Sequence, residues 1–332
     1  MAHELEIRNG EASMFYVRDA PWHGLGQKLD GPATAAEAIK AARMDWTVRK
    51  IPLHASDGKI ELTLPDKYAV VRADLWGQPG CRALGIVGRD YRPLQNRDAF
   101  AFFDPIVGQS AAIYHTAGVL GDGERVWILA KLPKEIRVVG DDIAEKYLLL
   151  SNSHDGQSSV QMKFTPIRVV CQNTLTMALS QGPTVRAAHM PNLEQRLQVA
   201  RRLLGLIENR FEKIGDAFRE MVKVQMNGGR LAEYLGLVFP DPKDPENEKA
   251  VARVNQDRAW ATYFFDQGKG NRVAGVQGTL WAAYNGVAEL VDHRQTTQND
   301  EWRLRAVWFG TGYSVKARAF SVATAKKAAW QN

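Results

Sequence analysis

The sequence predicts an α+β fold: an antiparallel, β-rich N-terminal part with an α-β-β-β-β-α core, followed by a helical C-terminal part with a long heptad-patterned helix. Short runs of β-branched and aromatic residues, separated by turn residues, occupy the chain to about residue 165. From residue 193 onwards the apolar residues follow helical spacing instead. We therefore expect a β-rich α+β core domain over 1–190 and a helical part with a basic C-terminal segment over 191–332.

The N-terminal elements begin with a short helix. Thr34 and Glu37 have the spacing of a capping box, which predicts a helix over 34–44. Four strand candidates follow, separated by turn signals such as Ser56-Asp57-Gly58 and Pro65-Asp66. These strands are predicted over 46–53, 59–64, 68–73 and 82–87.

The α-β-β-β-β-α core follows from the next segment of the chain. Asn96–Phe103 is predicted to be helical, and Thr165-Pro166 predicts the start of another helix over 166–181, since Pro is tolerated at the first helical position. Turn residues at Gly121-Asp122-Gly123 and His154-Asp155-Gly156 predict two hairpins between these helices. Their strands are predicted over 112–119, 125–132, 146–152 and 158–164.

The helical part opens with a heptad pattern. From Leu193 to Met221, apolar residues recur at alternating spacings of four and three. Such a seam needs an apolar partner, which is either a second helix of the same chain or a copy in a neighbouring subunit. The sequence leaves both open, although intramolecular packing is the commoner outcome. Further helices are predicted over 246–265, 279–293, 301–309 and 314–330.

The composition excludes several classes of protein. Of the 332 residues, 45% are apolar and 24% charged, as in ordinary globular proteins. No apolar run reaches the roughly 20 residues of a membrane-spanning helix, and the first residues do not resemble a secretion signal. The two cysteines favour a reducing compartment. The seven histidines show no metal-ligand spacing, and no phosphate-binding glycine loop is present, so we expect no metal and no cofactor.

The positive charge is concentrated at the end of the chain. Residues 302–332 contain six basic residues and no acidic one; without these six, 37 basic residues balance 37 acidic ones. A basic end interleaved with aromatic residues is typical of surfaces that bind single strands, although the aromatics also suit a helical core. We expect phosphate contacts from four of these cations: Arg303, Arg305, Lys316 and Arg318.

A polar row on the predicted helix 166–181 suggests two more contacts. Arg168 and Gln172 are four residues apart and share one helical face, where Arg can bind a phosphate through two N–H donors. The alternative is a polar face that braces the neighbouring turn. Cys171 and His154 together also allow a cysteine-nucleophile hypothesis, although Cys171 falls on the apolar face and no known hydrolase motif surrounds it.

The turn Ser153-His154-Asp155-Gly156 and the stretch Arg168-Val-Val-Cys-Gln-Asn-Thr-Leu175 carry a specific resemblance. The chain resembles the phage/plasmid-like protein family, a domain of unknown function (number 932). Further segments that carry the resemblance are Pro21–Gly26, Val87–Asn96, Thr116–Leu120, Gly278–Asn285 and Phe309–Ala319. The resemblance implies a bacterial cytoplasm and supplies no catalytic residues.

A weaker, fold-level resemblance concerns function. The α-β-β-β-β-α order is similar to the core of phage single-strand annealing proteins, which form rings or filaments on DNA without a nucleotide. The resemblance implies a non-catalytic, homo-oligomeric protein that binds single-stranded DNA in recombination or replication. Two alternatives stay open: an enzyme that uses Cys171 and His154, or a host-interaction or anti-defence protein that docks through the heptad seam.

Overall fold

A computed structural model describes residues 5–17, 25–109, 112–157, 161–168, 173–174, 209–294 and 310–331. The chain divides into two compact units. Unit 1 comprises Met1–Leu132, Leu148–Lys163 and Gly182–Leu204. Unit 2 comprises Pro133–Tyr147, Phe164–Gln181 and Gly205–Asn332. The domains predicted over 1–190 and 191–332 stay a prediction.

Unit 1 is mainly β-structure with two helices. Its strands are β1 (Ile7–Arg8), β2 (Glu11–Ala12), β3 (Met14–Val17), β4 (Gln27–Leu29), β5 (Val48–Ser56), β6 (Glu61–Arg72), β7 (Ala83–Gly88), β8 (Ile113–Leu120) and β9 (Arg125–Lys131). Its helices are α1 (Ala35–Ala41), which carries the predicted capping box between Thr34 and Glu37, and α2 (Asn96–Gln109). The core sheet has the order β4-β3-β8-β9, and the β8–β9 hairpin around Gly121-Asp122-Gly123 is confirmed.

A separate three-stranded antiparallel sheet has the order β5-β6-β7. The turn predicted at Pro65-Asp66 is a bulge inside the twelve-residue strand β6, so the second and third predicted strands are one strand. Asp66 has a φ of 62°, a left-handed conformation that Asp tolerates better than most residues. The sheet has two faces. The inner one carries the buried Val48, Val70 and Val87, so the sheet packs through this face.

Four further strands complete the β-structure: β10 (Ile136–Val139), β11 (Asp142–Ser153), β12 (Gln161–Arg168) and β13 (Asn173–Thr174). The predicted start of a helix at Thr165-Pro166 is wrong. These residues continue β12, and β13 pairs with its end, Arg168 opposite Asn173. The cap signal was overridden because β-rich neighbours and strand pairing outweigh a local helix preference. Residues 169–172 and 175–181 lie outside the described residues.

Unit 2 is mainly helical. Its helices are α3, described over 209–222, α4 (Gly228–Val238), α5 (Glu248–Gln267), α6 (Leu280–Glu289) and α7 (Thr311–Trp330). The side chains of Asn227, Asn247 and Thr279 cap α4, α5 and α6, and a π-helical turn, Leu290–Arg294, follows α6. The helices predicted over 246–265, 279–293 and 314–330 are thus confirmed, and the one over 301–309 lies outside the described residues. The α+β class is confirmed.

The described end of the heptad seam packs within the chain. Phe211, Ile214, Phe218 and Met221 are buried. The Phe218 ring centroid lies 4.4 Å from that of Trp281 and 6.1 Å from that of Phe320. These positions therefore face the core of unit 2 and are not a docking surface; the seam positions before residue 209 lie outside the described residues. Within the described part of the chain, no helix combines the length and apolarity needed to cross a bilayer.

Candidate functional site

The distinctive turn at His154 lies inside unit 1, where it ends β11. The His154 side chain is fully buried, its Nε2 lies 3.0 Å from Asn96 Oδ1, and its backbone N–H donates to the Glu124 carbonyl at 2.7 Å. The indole of Trp46 packs against the ring at 5.4 Å. Among the described residues, His154 Nδ1 has no hydrogen-bond partner. Burial lowers the pKa of His154 to about 4, and the nearby Asp155 only partly opposes this shift.

Close contacts and hydrogen bonds from neighbouring elements fix the position of this turn. Gly85 of β7 lies so close that a side chain there would overlap the Asp155 backbone. The Tyr91 hydroxyl donates to the Ser153 carbonyl at 3.0 Å, and the Asn152 amide donates to the Leu94 carbonyl at 2.9 Å. Burial raises the pKa of Tyr91 to about 12. The turn, which we call the latch, is thus buried between β7, α2 and β11.

The same geometry bears on the cysteine-nucleophile hypothesis. A general base must reach the proton it removes. The His154 ring has no exposed surface and is neutral at ordinary pH. Cys171 lies outside the described residues. Within the described part of the chain, no group of His, Cys, Asp and Glu has the arrangement of a metal site. The geometry therefore favours a structural role for His154.

The structure places the predicted phosphate contacts differently from the sequence prediction. Lys316 is fully buried, and its Nζ lies 2.6 Å from Asp292 Oδ1. Such a side chain does not reach a phosphate, so its assignment as a surface contact is corrected. Arg318 is exposed, and its Nη1 donates to the Val238 carbonyl at 2.9 Å. The remaining predicted contacts lie outside the described side chains: Arg168, Gln172, Arg303 and Arg305.

A pattern in α7 does signal the burial of Lys316. Gly312, Ala319 and Ala323 are buried on the same helical face, at spacings of three and four from Lys316 or from one another. A lysine in a row of small residues lies on the packed face, because only that face needs small side chains. Lys326 of the same helix is also paired, with its Nζ 3.0 Å from Glu233 Oε1. Much of the positive charge of α7 is therefore matched by carboxylates.

A different surface combines free cations with exposed aromatic and aliphatic groups. It is the side of the β5-β6-β7 sheet opposite its buried face, and we call it the outer face. Pairing of Arg49 with Val71 and of Ala69 with Ile86 places Arg49 and Ile86 on this side, although Ala69 and Val71 of the central strand are themselves buried there. The Arg49 guanidinium lies 4.8 Å from the ring centroid of Trp76, and Trp76 is 49% exposed. The outer face comprises Arg49, Ile51, Lys67, Trp76 and Ile86.

The sequence contains only a partial signal for this surface, because a local excess of basic residues does not show which face of a sheet they occupy. Residues 48–97 hold nine basic and five acidic residues, although the whole chain before residue 302 is balanced. Arg49 and Lys67 are exposed, and neither has an ion-pair partner among the described residues. Arg49 and Trp76 are brought together by strand register and by the loop after β6. A count of charges along the chain does not reveal that contact.

Comparison with known proteins places this fold in a family. Residues 83–308 match the model of the family described as Domain of unknown function (DUF932). The chain belongs to this family. The matched range contains β7 and the latch at His154, whereas Arg49 and Trp76 precede it. The predicted membership of this family is confirmed.

Two curated relatives come from Escherichia coli (strain K12). The chain is 36% identical to the UPF0380 protein YfjQ over 142 residues, which are 41% of this chain and 50% of YfjQ. It is 34% identical to the UPF0380 protein YafZ over 150 residues, 43% of this chain and 54% of YafZ. The chain thus spans about half the length of these relatives. No solved structure matches the chain.

Proposed function

We propose that this protein binds single-stranded DNA without catalysis, as an annealing or strand-protecting protein in phage or plasmid recombination or replication. The observation that carries the proposal is the exposed Trp76 beside the Arg49 guanidinium on the outer face. Aromatic rings stack on bases of any sequence, and neighbouring cations neutralise the phosphates. No nucleotide or metal is needed for this mode of binding.

The chemistry of the outer face suits an unpaired strand. Ile86, 60% exposed, and Ile51 extend the apolar surface around Trp76, and Lys67 adds a second free cation. Bases in a duplex are stacked on each other, so a flat aromatic surface of this kind favours single strands. Arg168, Gln172, Arg303 and Arg305 remain proposed contacts in addition to those of the outer face, and Arg318 is a weaker candidate because a carbonyl already accepts from it.

Replacing Trp76 and Arg49 separately should give two different defects. We expect Trp76→Ala to weaken binding of labelled oligothymidine about 5- to 150-fold with an unchanged salt dependence, because base stacking contributes about 1–3 kcal/mol per base. Arg49→Ala should reduce the slope of log K against log salt by about 0.7, the contribution of one phosphate contact on a single strand. Fluorescence anisotropy over a salt series measures both.

Matched controls come from the helical part of the chain. Lys243 is an exposed lysine, and Tyr263 is an aromatic residue that is 51% exposed. Lys243→Ala and Tyr263→Ala should leave both affinity and slope unchanged. The proposal is overturned when the unmodified protein does not bind single strands at low salt, or when the control variants lose as much affinity as Trp76→Ala and Arg49→Ala.

A further inference from the structure

The loop that carries Trp76 has little apolar packing to hold it in place. It comprises residues 73–82, between β6 and β7, and we call it the Trp76 loop. Of residues 73–80, all are exposed except Leu75, which is partly covered. Gly77 and Gly80 have left-handed backbone conformations, with φ of 79° and 85°. A loop that buries so little apolar surface is fixed mainly by its polar contacts.

Asp74 makes the principal polar contacts of the Trp76 loop. The guanidinium of Arg72 binds both of its carboxylate oxygens: Nε donates to Oδ1 at 3.1 Å, and Nη2 donates to Oδ2 at 2.8 Å. A bidentate pair of this kind fixes the direction of the carboxylate as well as its distance. Gln78 Nε2 also donates to the Asp74 carbonyl at 3.0 Å, which ties the far side of the loop to the same residue.

Arg72 is itself held within unit 1. It is 3% exposed and pairs with Val48 on the inner face of the sheet. Its Cζ lies 4.1 Å from the ring centroid of Trp46, and its Nη1 donates to the buried carboxylate of Glu6. Glu6 in turn accepts from Ser13 Oγ at 2.7 Å. The Trp76 loop is therefore attached through Asp74 to a cation whose own position is fixed by buried groups.

Backbone hydrogen bonds connect the same loop to the strand that carries Arg49. The Ala73 N–H donates to the Thr47 carbonyl at 2.8 Å, next to the start of β5. The Trp76 N–H donates to the Ala73 carbonyl at 3.4 Å, which closes a turn. This turn places the indole against β5, where the Arg49 guanidinium lies 4.8 Å from its ring centroid.

We propose that Arg72 and Asp74 are positioning residues of the outer face, which hold the indole of Trp76 beside Arg49 before a strand binds. Neither residue needs to contact DNA. Side chains that are already ordered avoid the entropy that is otherwise lost when a complex forms. The inference rests on the proposed function, because the residue that the pair positions is the one proposed to stack on bases.

General electrostatics predicts the opposite effect for Asp74. Removing its carboxylate makes the protein more positive, which by itself favours binding of a polyanion. If Asp74 positions Trp76, the same change weakens binding. The sign of the change in affinity therefore separates a positioning role from simple repulsion between the carboxylate and the phosphates.

Fluorescence anisotropy with labelled oligothymidine tests the inference. Asp74→Ala should weaken binding about 2- to 12-fold, the cost of ordering one side chain in the complex. Asp122→Ala is the matched control: it removes another exposed carboxylate of unit 1, 3.2 Å from an exposed arginine, and should not weaken binding. In a Trp76→Ala background, Asp74→Ala should cause no further loss, because a residue that acts through Trp76 then has nothing to position.

Hydrogen exchange without DNA measures the order of the loop independently of the proposed function. The Gln78 N–H donates to the Leu75 carbonyl at 2.9 Å, and the Cys81 N–H donates to the Gln78 carbonyl at 3.1 Å. Both amides should exchange several-fold faster in Asp74→Ala and at an unchanged rate in Asp122→Ala. Thermal unfolding verifies that Asp74→Ala is folded, as expected for a side chain that is 40% exposed.

Three results would overturn the inference. They are unchanged exchange in the Trp76 loop of Asp74→Ala, binding by Asp74→Ala as tight as that of Asp122→Ala, and an equal effect of Asp74→Ala with and without Trp76. A failure of the unmodified protein to bind single strands would instead overturn the proposed function. The exchange rates would then still decide whether Asp74 fixes the Trp76 loop.

Discussion

Replacing Lys316 with methionine is expected to lower the free energy of unfolding by about 3–5 kcal/mol. The Lys316 ammonium has no exposed surface and lies 2.6 Å from Asp292 Oδ1, and the Asp292 side chain is 6% exposed. Burial lowers the pKa of Lys316, whereas the Asp292 carboxylate opposes that shift. Removing the cation takes the ammonium partner from a buried carboxylate, which is the costly step, because that attraction no longer offsets the desolvation of Asp292.

The same reasoning predicts that a second substitution restores most of the lost free energy of unfolding. In the double variant Lys316→Met with Asp292→Leu, neither charge remains, and we expect stability within about 2 kcal/mol of the unmodified protein. Lys326→Met is the matched control on the same helix. Its partner Glu233 and Lys326 itself are both nearly half exposed, so that change should cost less than about 1 kcal/mol. Urea unfolding of the unmodified protein and of these three variants measures the losses. Equal losses for Lys316→Met and Lys326→Met would show that the buried pair is hydrated.

Acid is expected to destabilise unit 1 through His154. The pKa of this residue is about 4 in the folded protein, against an ordinary value near 6.5. The unfolded chain therefore binds a proton first as the pH falls. The contribution of His154 to the free energy of unfolding is fully present above pH 6.5. It decreases by about 3 kcal/mol between pH 6.5 and about 4, at about 1.4 kcal/mol per unit of pKa.

His154→Gln separates this effect from the titration of carboxyl groups. Glutamine can still hydrogen-bond to Asn96 but takes up no proton, so the variant should lose the decrease in stability between pH 6.5 and 4. His54→Gln, which changes a histidine that is 45% exposed, should keep that decrease. Urea unfolding at a series of pH values measures both. Identical pH profiles for His154→Gln and the unmodified protein would show that the His154 ring is protonated in the folded state.

The features that the sequence predicted correctly depend on short stretches of chain. The capping box of Thr34 and Glu37 needs four residues, and the β8–β9 hairpin needs its turn residues and two flanking runs. Helices α5, α6 and α7 follow from apolar spacing and from local caps such as Thr279. In each case the physical cause lies within the segment itself. Local reasoning is therefore sufficient for the class of fold and for most of these elements.

The features that the sequence did not predict correctly depend on contacts between distant segments of the chain. Pro166 is in a strand because β13 pairs with the end of β12, a contact that the local cap signal does not contain. Lys316 is buried because Asp292, 24 residues earlier, supplies its counter-charge. Trp76 contacts Arg49 because the loop after β6 and the register of the β5-β6-β7 sheet bring the two residues together. The candidate site was therefore less predictable than the fold, since a site is made by contacts between segments.

The division of the chain also constrains the order of its synthesis and folding. Unit 2 includes Pro133–Tyr147, and within it Asp142 Oδ2 accepts a hydrogen bond of 2.6 Å from the indole N–H of Trp281. The two residues are 139 positions apart, so on the ribosome the early segment waits until α6 has been made before it acquires this partner. Long waits of this kind favour slow folding and prolonged exposure of apolar strands. A nascent chain of this protein is accordingly expected to need chaperone protection until its last third emerges.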